Sequence, residues 1–243
     1  MAKFTQNDVW TDTLRLMRAH WAALVAIAGA LVFLPTLLVN HFFPMGDPPT
    51  GTDLQAYVQF VLDYYRQNAL PVVLQSFVVM AGSATMLRLV FAQGGTVGGA
   101  LLFAIALLPV YSILVVLVNL AVGAGLMLLI VPGLYLWGRL LPAGPAMVAE
   151  ERRNPIDALK RGWALSEGHG WLIIALYLLV MIPAAILMLV VSQLTGIGFI
   201  LAAGQQLGTL LGMILLCAMQ ALVTTLLTML AAAIYRALAP KKP

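Results

Sequence analysis

The sequence predicts an all-α, polytopic membrane protein with six transmembrane helices and about three amphipathic helices at the membrane surface. Of its 243 residues, 62% are hydrophobic and only 9% are charged, whereas soluble domains are about half apolar and a quarter charged. The apolar residues are gathered in runs of roughly 20 or more, the length with which a helix crosses the hydrocarbon core of a bilayer. Lipid is therefore the expected solvent for a single integral membrane domain.

Polar breaks between the apolar runs define the six predicted spans. They lie near residues 21–43, 70–92, 97–119, 122–149, 171–192 and 205–235. Only Leu120 and Ala121 separate the third from the fourth, so a tight turn is predicted between Asn119 and Gly125. The first run is longer than the apolar core of a cleavable signal and follows a polar stretch, so we expect it to remain as a span.

Lysine and arginine are distributed unevenly between the two sides of the predicted membrane. When the six spans alternate, Arg66 is alone on one side, and the other 12 of the 13 Lys and Arg residues lie toward the opposite side. Loops rich in Lys and Arg stay in the cytoplasm. The expected location is therefore a bacterial inner (cytoplasmic) membrane, with both termini in the cytoplasm.

Two predicted surface helices flank the first span. Each begins with a pair of residues typical of a capping box, and these pairs are Thr5 with Asp8 and Thr52 with Gln55. The second helix is rich in Tyr and Phe, whose rings settle between lipid and water. Two interpretations of it stay open, a lid over a cavity and an interfacial helix that connects spans one and two.

The third predicted surface helix follows span four and is strongly basic. Asn154 is a suitable N-cap, and Pro155 suits the first helical position. Its candidate lipid-binding residues are Arg152, Arg153, Lys160, Arg161 and Trp163. Each basic residue beside an anionic leaflet contributes about 1 kcal/mol of attraction, so this helix could hold acidic head groups. The alternative is charge that only sets the topology.

Arg139 is the deepest charge in the predicted spans. It lies in IVPGLYLWGRLLPAGP, together with the helix breakers Pro132, Gly133, Pro142 and Pro145. An arginine at mid-span costs about 2.5–3.5 kcal/mol on insertion scales, which argues for a partner inside the bundle. Each proline leaves a backbone carbonyl without its helical partner. We predict one buried polar cluster, either structural or, with Arg88 as a further candidate, a site for an anionic head group.

Span six carries small and polar residues at four-residue spacing. The row consists of Gly204, Gly208, Gly212, Gln220, Thr224, Thr228 and Ala232. Such rows let helices approach closely and bond across the contact. A packing seam is predicted, made either with another span or with the same row of a second copy. Cys217, the only cysteine, is expected to be a small packing residue.

The region from Leu126 to Trp171 resembles a known family. An apolar helix, a Pro-Gly pair, an arginine, a proline and an acidic residue precede an amphipathic helix that contains a tryptophan. This order is similar to that of the glycerophosphoryl diester phosphodiesterase membrane domain and the related YciC-like bacterial membrane proteins. The matching positions are Pro132, Gly133, Tyr135, Arg139, Pro142, Glu150, Pro155, Ala158, Trp163 and Gly168. Gly162 departs from the pattern, since a serine commonly stands there.

The resemblance implies the six-span plan and little about activity. In the fused phosphodiesterases of that family, catalysis belongs to a separate soluble barrel, for which this sequence shows no counterpart. His20, His41 and His169 are far apart and have no ligand partner at short spacing. We therefore predict no catalytic residue, metal site or cofactor, and expect that the protein is not an enzyme.

The sequence is compatible with three functions. The leading hypothesis is a non-enzymatic protein that binds or organises lipid or an amphiphilic substrate through Arg139 and the basic helix. The alternatives are a passive channel or exporter subunit and a membrane scaffold for a protein partner. An ion-coupled carrier is disfavoured, because the acidic residues lie at the edges of the spans. Expected partners are membrane lipids, anionic ones included, with a second copy or another protein as further options and no nucleic acid.

Overall fold

The computed structural model describes residues 6–46, 49, 53–92 and 94–239, and within residues 195–203 and at 205 it describes the backbone alone. The described residues form helices and connecting turns, with no strand among them. The helices are α1 (Gln6–Ala19), α2 (Trp21–Ala28), α3 (Leu34–Phe42), α4 (Leu54–Gln67), α5 (Ala69–Phe91), α6 (Val97–Leu128), α7 (Ile130–Leu140), α8 (Ala143–Ala149), α9 (Pro155–Leu165), α10 (Gly170–Ala203) and α11 (Gln205–Leu238). A π-helical turn, Gly29–Phe33, joins α2 to α3.

Long apolar helices dominate the described part of the chain. Those long and apolar enough to cross a membrane are Trp21–Phe42, Ala69–Phe91, Val97–Leu128, Gly170–Leu194 and Gln206–Leu238. Their outward faces carry large apolar side chains, such as Leu102 with 71% and Leu120 with 65% of the residue exposed. Extensive apolar surface of this kind belongs in lipid. The prediction of an all-α polytopic membrane protein is confirmed.

The turn predicted between Asn119 and Gly125 is wrong. Helix α6 runs for 32 residues without a break, and the chain reverses at Leu129, which has extended backbone angles. Gly125 serves a close contact instead of a turn, because a Cβ there would lie 2.9 Å from the Cα of Gly133 on α7. The prediction placed the turn by the expected length of a span, whereas in the structure α6 continues to Leu128 and Gly125 packs against α7.

Residues 122–128 of the predicted fourth span belong to α6, and its remainder forms two short helices, α7 and α8, neither of which is long enough to be a span by itself. Pro142 lies between them as the N-cap of α8, where its missing N–H cannot continue the helix. Pro132 and Pro145 lie in the first turns of α7 and α8, where a proline removes no helical hydrogen bond. The breaks therefore fall at Leu129 and Pro142, and Gly133 is a site of close packing against Leu126.

Contacts between distant segments define two ends of the bundle. At the basic end, Arg236 of α11 pairs with Asp12 of α1 at 3.5 Å. At the α4 end, the Tyr64 hydroxyl donates to the carbonyl of Phe43 at 3.1 Å. The pair α7–α8 packs antiparallel to α6 and returns the chain to the basic end, where the turn after α8 meets α11.

Helices lie at all three positions where surface helices were predicted. In α9, the Asn154 side chain accepts from the N–H of Ile156 at 3.0 Å, which confirms this N-cap. Helix α4 begins at a different cap from the predicted one, because the Asp53 carboxylate accepts from the N–H of Gln55 at 2.9 Å. The predicted capping residues Thr5 and Thr52 lie outside the described residues.

Helices α10 and α11 form a hairpin through Gly204. This glycine has a φ of 80°, a conformation that residues with a side chain rarely adopt. A Cβ there would meet no atom of the described residues within 4 Å, so the role that the structure gives Gly204 is in this turn. Gly208 and Gly212 are buried on α11.

Candidate functional site

Arg139 is buried and holds the C-terminal end of α9. Only 5% of the residue is exposed. Its Nη2 donates to the carbonyl of Trp163 at 2.9 Å, and its Nη1 donates to that of Ser166 at 3.2 Å. The guanidinium also lies 4.2 Å from the centre of the Trp163 ring. The last carbonyls of a helix lack partners and carry partial negative charge, so a cation is favourable there.

The partners of Arg139 differ from the predicted ones. We expected carbonyls freed by the prolines of its own segment, whereas the observed acceptors lie 24 and 27 residues later. The cause is a close crossing of α7 and α10, in which the backbone carbonyl of Gly170 occupies the place where a side chain on Gly138 would lie. This crossing brings the end of α9 over the arginine. Its Nε has no hydrogen-bond partner among the described residues.

Ser166 and Gly170 complete this arrangement, and the sequence analysis missed both. The buried Ser166 hydroxyl lies 2.7 Å from the carbonyl of Arg139, which it reaches as a donor. A Cβ on Gly170 would lie 2.9 Å from the Cδ of Arg139. Their one signal is the run SEGHG after the predicted basic helix, since glycines and small polar residues are common where helices end.

Glu150 gathers three partners at the basic end. Its carboxylate accepts from the Nε of Arg152 at 2.6 Å, from the Nε of Arg161 at 2.8 Å and from the Tyr235 hydroxyl at 3.0 Å. Burial disfavours the charged carboxylate, but hydrogen bonds from Arg161, Arg152 and Tyr235 outweigh burial and hold the pKa of Glu150 below its ordinary value. This carboxylate therefore ties α9 to α11.

Glu151 makes a second link at the basic end. Its carboxylate pairs with Nη1 of Arg88 at 2.7 Å, and the Arg88 guanidinium lies 4.1 Å from the centre of the Phe103 ring. Glu151 has a φ of 52°, in the left-handed region that non-glycine residues seldom occupy. This backbone turn aims the carboxylates of Glu150 and Glu151 at different helices.

The predicted lipid-binding residues fall into two groups. Arg88, Arg139, Arg152 and Arg161 bind groups of the protein, as described above. Arg153 and Lys160 are exposed and form no ion pair with any described residue. Trp163 is 42% exposed although its ring contacts Arg139. Only Arg153, Lys160 and the free part of Trp163 therefore remain available to lipid head groups.

A large cavity of about 990 Å³ lies among the helices toward the α4 end. Helices α3, α5, α10 and α11 supply most of its wall, and Tyr65 of α4 borders it. Its neutral polar lining consists of Thr36, Asn40, Gln75, Ser76, Ser192, Thr209, Gln220 and Thr224. No charged side chain of the described residues is part of the lining. The remaining wall is apolar, so the cavity suits a mainly apolar molecule.

A small cavity of about 360 Å³ adjoins the large one on the side of the basic end. The two share Val115 and Thr224 in their linings. The small cavity reaches the break between α7 and α8, where Gly144 and Pro145 form part of its wall. Its polar lining consists of Ser83, Tyr111, Asn119, Trp137, Tyr177, Thr224 and Thr228. The described lining is again free of charged side chains.

Most of the small-residue row of α11 faces these cavities. Gly208, Gly212, Gln220 and Thr224 line the large cavity, and Thr228 lines the small one. Part of the predicted row therefore lines a cavity, while α11 also remains in extensive contact with α10. Cys217, which also lines the large cavity, is buried, and its sulfur lies 3.5 Å from Nδ2 of Asn40.

Neither a family model nor a curated protein nor a solved structure matches this chain. The resemblance to the glycerophosphoryl diester phosphodiesterase membrane domain and the YciC-like proteins stays a prediction. Among the described residues, no group of three His, Cys, Asp or Glu side chains could hold a metal ion. The two cavities are therefore the candidate ligand site that the geometry favours.

Proposed function

We propose that this protein binds a lipid or another amphiphilic molecule in the cavities among its membrane helices. One observation carries the proposal, namely the large cavity of about 990 Å³ with apolar walls and scattered neutral polar groups. Small-molecule sites are concave, mostly apolar and about 300–1,000 Å³ in volume, with a few polar groups that orient the ligand. The large cavity has these properties.

Arg139 is not part of the ligand site in this proposal, although the sequence suggested it as a candidate. Two donors of this arginine are occupied by the carbonyls of Trp163 and Ser166, and Arg139 is absent from the lining of either cavity. A head group bound there would have to displace two charge-assisted hydrogen bonds. Arg139 is better suited to holding α9 in place than to binding a ligand.

We further propose that the basic end faces the cytoplasm of a bacterial inner membrane. Arg88, Arg152, Arg161 and Arg236 come together there through their ion pairs, and Arg66 lies on α4 near the opposite end. Positive charge on the cytoplasmic side is the general rule for membrane proteins. In this orientation the large cavity lies in the periplasmic half of the bundle.

Native mass spectrometry of protein released from lipid nanodiscs tests the function directly. We expect the wild type to retain at least one lipid after the bulk lipid is removed. Ser76→Phe should abolish this adduct, because Ser76 lines the large cavity and a benzyl group would fill part of it. The matched control is Val73→Phe, which adds the same ring to an exposed position of α5 outside the lining.

Three results would contradict lipid binding in the cavity. Equal lipid retention by wild type and Ser76→Phe would place the lipid elsewhere. A wild type without any lipid adduct that lets solutes through liposomes would favour the passive conduit. A wild type that retains a second protein in place of lipid would favour the scaffold.

A further inference from the structure

We infer that the small cavity receives an uncharged head group rich in hydroxyls, as in a sugar or another polyol. The inference rests on the proposed function, since the large cavity supplies the space for the apolar part of the same molecule. It goes further because it assigns a chemical class to the ligand. Four features of the small cavity support it.

The first feature is the hydroxyl of Tyr111. The residue is only 8% exposed, yet its hydroxyl makes no hydrogen bond with any described residue, and it lies at the wall of the small cavity. The hydroxyl is open to the cavity, where a bound molecule can supply the hydrogen bond that the described residues do not. A Cβ on Gly144 would lie 3.1 Å from this hydroxyl, so the glycine makes room for the Tyr111 side chain at the wall. The Tyr111 hydroxyl is therefore set to bond a guest.

The second feature is the supply of acceptors elsewhere in the lining of the small cavity. Asn119 donates its Nδ2 to the carbonyl of Val115 at 2.9 Å, which leaves its Oδ1 as an acceptor. Thr228 donates its hydroxyl to the carbonyl of Thr224 at 2.7 Å, which leaves its oxygen lone pairs for a further donor. A guest here must both donate and accept hydrogen bonds. Hydroxyl groups do both.

The third feature is the absence of charge from the described lining of the small cavity. A phosphate or an ammonium group in this site would lose its water without gaining a counter-charge, which is strongly unfavourable. The nearby arginines are already engaged, since Arg88 binds Glu151 and Arg139 binds the end of α9. The lining therefore selects an uncharged head group.

The fourth feature is the size and position of the small cavity. Its volume of about 360 Å³ is at the lower end of the range for small-molecule sites. Trp137 and Tyr177 form part of its wall, with ring centres 5.6 Å apart, and such rings offer an apolar face beside a polar edge. The shared lining residues Val115 and Thr224 join it to the large cavity. One amphiphile can thus occupy both.

A competition between two head groups tests the inference. Nanodiscs are prepared with equal amounts of a monoglucosyl diacylglycerol and a phosphatidylglycerol that carry the same acyl chains. We define the cavity-bound fraction as the lipid adduct that wild type retains and Ser76→Phe loses. This difference excludes lipids that both proteins hold at the basic surface. We expect this fraction to be enriched in the glucosyl lipid by at least about 3-fold.

Two variants test the role of the Tyr111 hydroxyl, one at Tyr111 itself and one as a control at another tyrosine. Tyr111→Phe removes a hydroxyl that has no partner among the described residues, so it should fold normally and lower the enrichment about 2- to 10-fold, as expected for one lost hydrogen bond. Tyr57→Phe removes a hydroxyl from an exposed position on α4 and should leave the enrichment unchanged.

The possible failures are distinguishable. If the cavity-bound fraction is enriched in phosphatidylglycerol, or if Tyr111→Phe and wild type select equally, the head-group inference is overturned and lipid binding stands. If no adduct depends on Ser76, the proposed function fails together with the inference.

Discussion

Arg139 occupies a position where charge, aromatic contact and backbone carbonyls meet. Its two hydrogen bonds to α9 span 24 and 27 residues of sequence, so the side chain joins two segments that local interactions would leave apart. The expected cost of a mid-span arginine is offset here by a helix terminus and not by an acidic side chain. The structure thereby gives the arginine a role without any ligand.

Removal of this side chain should therefore lower stability. Arg139→Leu removes two charge-assisted hydrogen bonds from the end of α9, and we expect the free energy of unfolding to fall by about 3 kcal/mol. Arg139→Lys keeps the charge but loses the planar fork that reaches both carbonyls and stacks on Trp163, so its loss should be smaller but clear. Unfolding by sodium dodecyl sulfate in mixed micelles, followed by circular dichroism, measures both.

The control is Arg153→Leu, at an exposed arginine without an ion pair to a described residue. Its effect should stay within about 0.5 kcal/mol, as is usual for surface substitutions. If Arg139→Leu is as stable as this control, the arginine does not hold α9.

Glu150 makes the stability depend on pH. Because its folded-state pKa is held below the ordinary value, the carboxylate contributes fully above the pKa of the unfolded state. That contribution is lost as the pH falls through the folded-state pKa. The melting temperature in detergent should therefore decline progressively below about pH 5.

The variant Glu150→Gln identifies the source of that decline. It should flatten the pH dependence and lower the stability at neutral pH, since an amide cannot replace the charge-assisted bonds to Arg152 and Arg161. Glu151→Gln is the matched comparison, because its pair with Arg88 is more exposed and should contribute less. Identical pH profiles for wild type and Glu150→Gln would contradict the assignment.

At the scale of helices, α8 and α9 cross in close contact at the basic end. A Cβ on Gly162 would lie 2.8 Å from backbone atoms of Ala143, a distance that real contacts do not reach. Gly162→Ala should therefore push the helices apart and lower the free energy of unfolding by about 1–3 kcal/mol. The serine expected from the family resemblance would meet the same obstacle.

Gly123→Ala is the matched control for this prediction. Gly123 lies inside α6, and a Cβ there would meet nothing within 4 Å. Since alanine favours a helix more than glycine does, this variant should be neutral or more stable by up to about 1 kcal/mol. Thermal unfolding of both variants gives the comparison, and equal losses would show that the crossing is not tight.

The helix boundaries that could be predicted from the sequence are those set by residues close together in the chain. The start of α9 was predictable because Asn154 and Pro155 act within one turn. The uninterrupted α6 was not, because Gly125 owes its place to Gly133 on the next helix. The break at Pro142 was predictable from proline alone, whereas the partners of Arg139 depend on a fold that returns α9 over α7.

At the scale of the whole molecule, the two ends of the described bundle differ. Ion pairs join the helices at the basic end, and a large cavity separates them toward α4. Glu150 and Glu151 link α9, α5 and α11 at the basic end, while the large cavity lies toward α4. Composition predicted the membrane bundle, because apolar run length alone sets it. The cavities could not be predicted from the sequence. They lie where the row of small and polar residues on α11 faces helices that are distant in the sequence.

The contact between Arg139 and α9 also constrains how the protein is made. Synthesis proceeds from the N-terminus, so α7 emerges from the ribosome before Trp163 and Ser166 emerge to receive the arginine. The 11 residues of α7 are also too short to cross a bilayer by themselves, because a span needs about 20. We therefore expect Ile130–Leu140 to reach its final position only after α9 has emerged. Assembly of this part of the bundle would then be a concerted step in biogenesis, and not a simple succession of inserted helices.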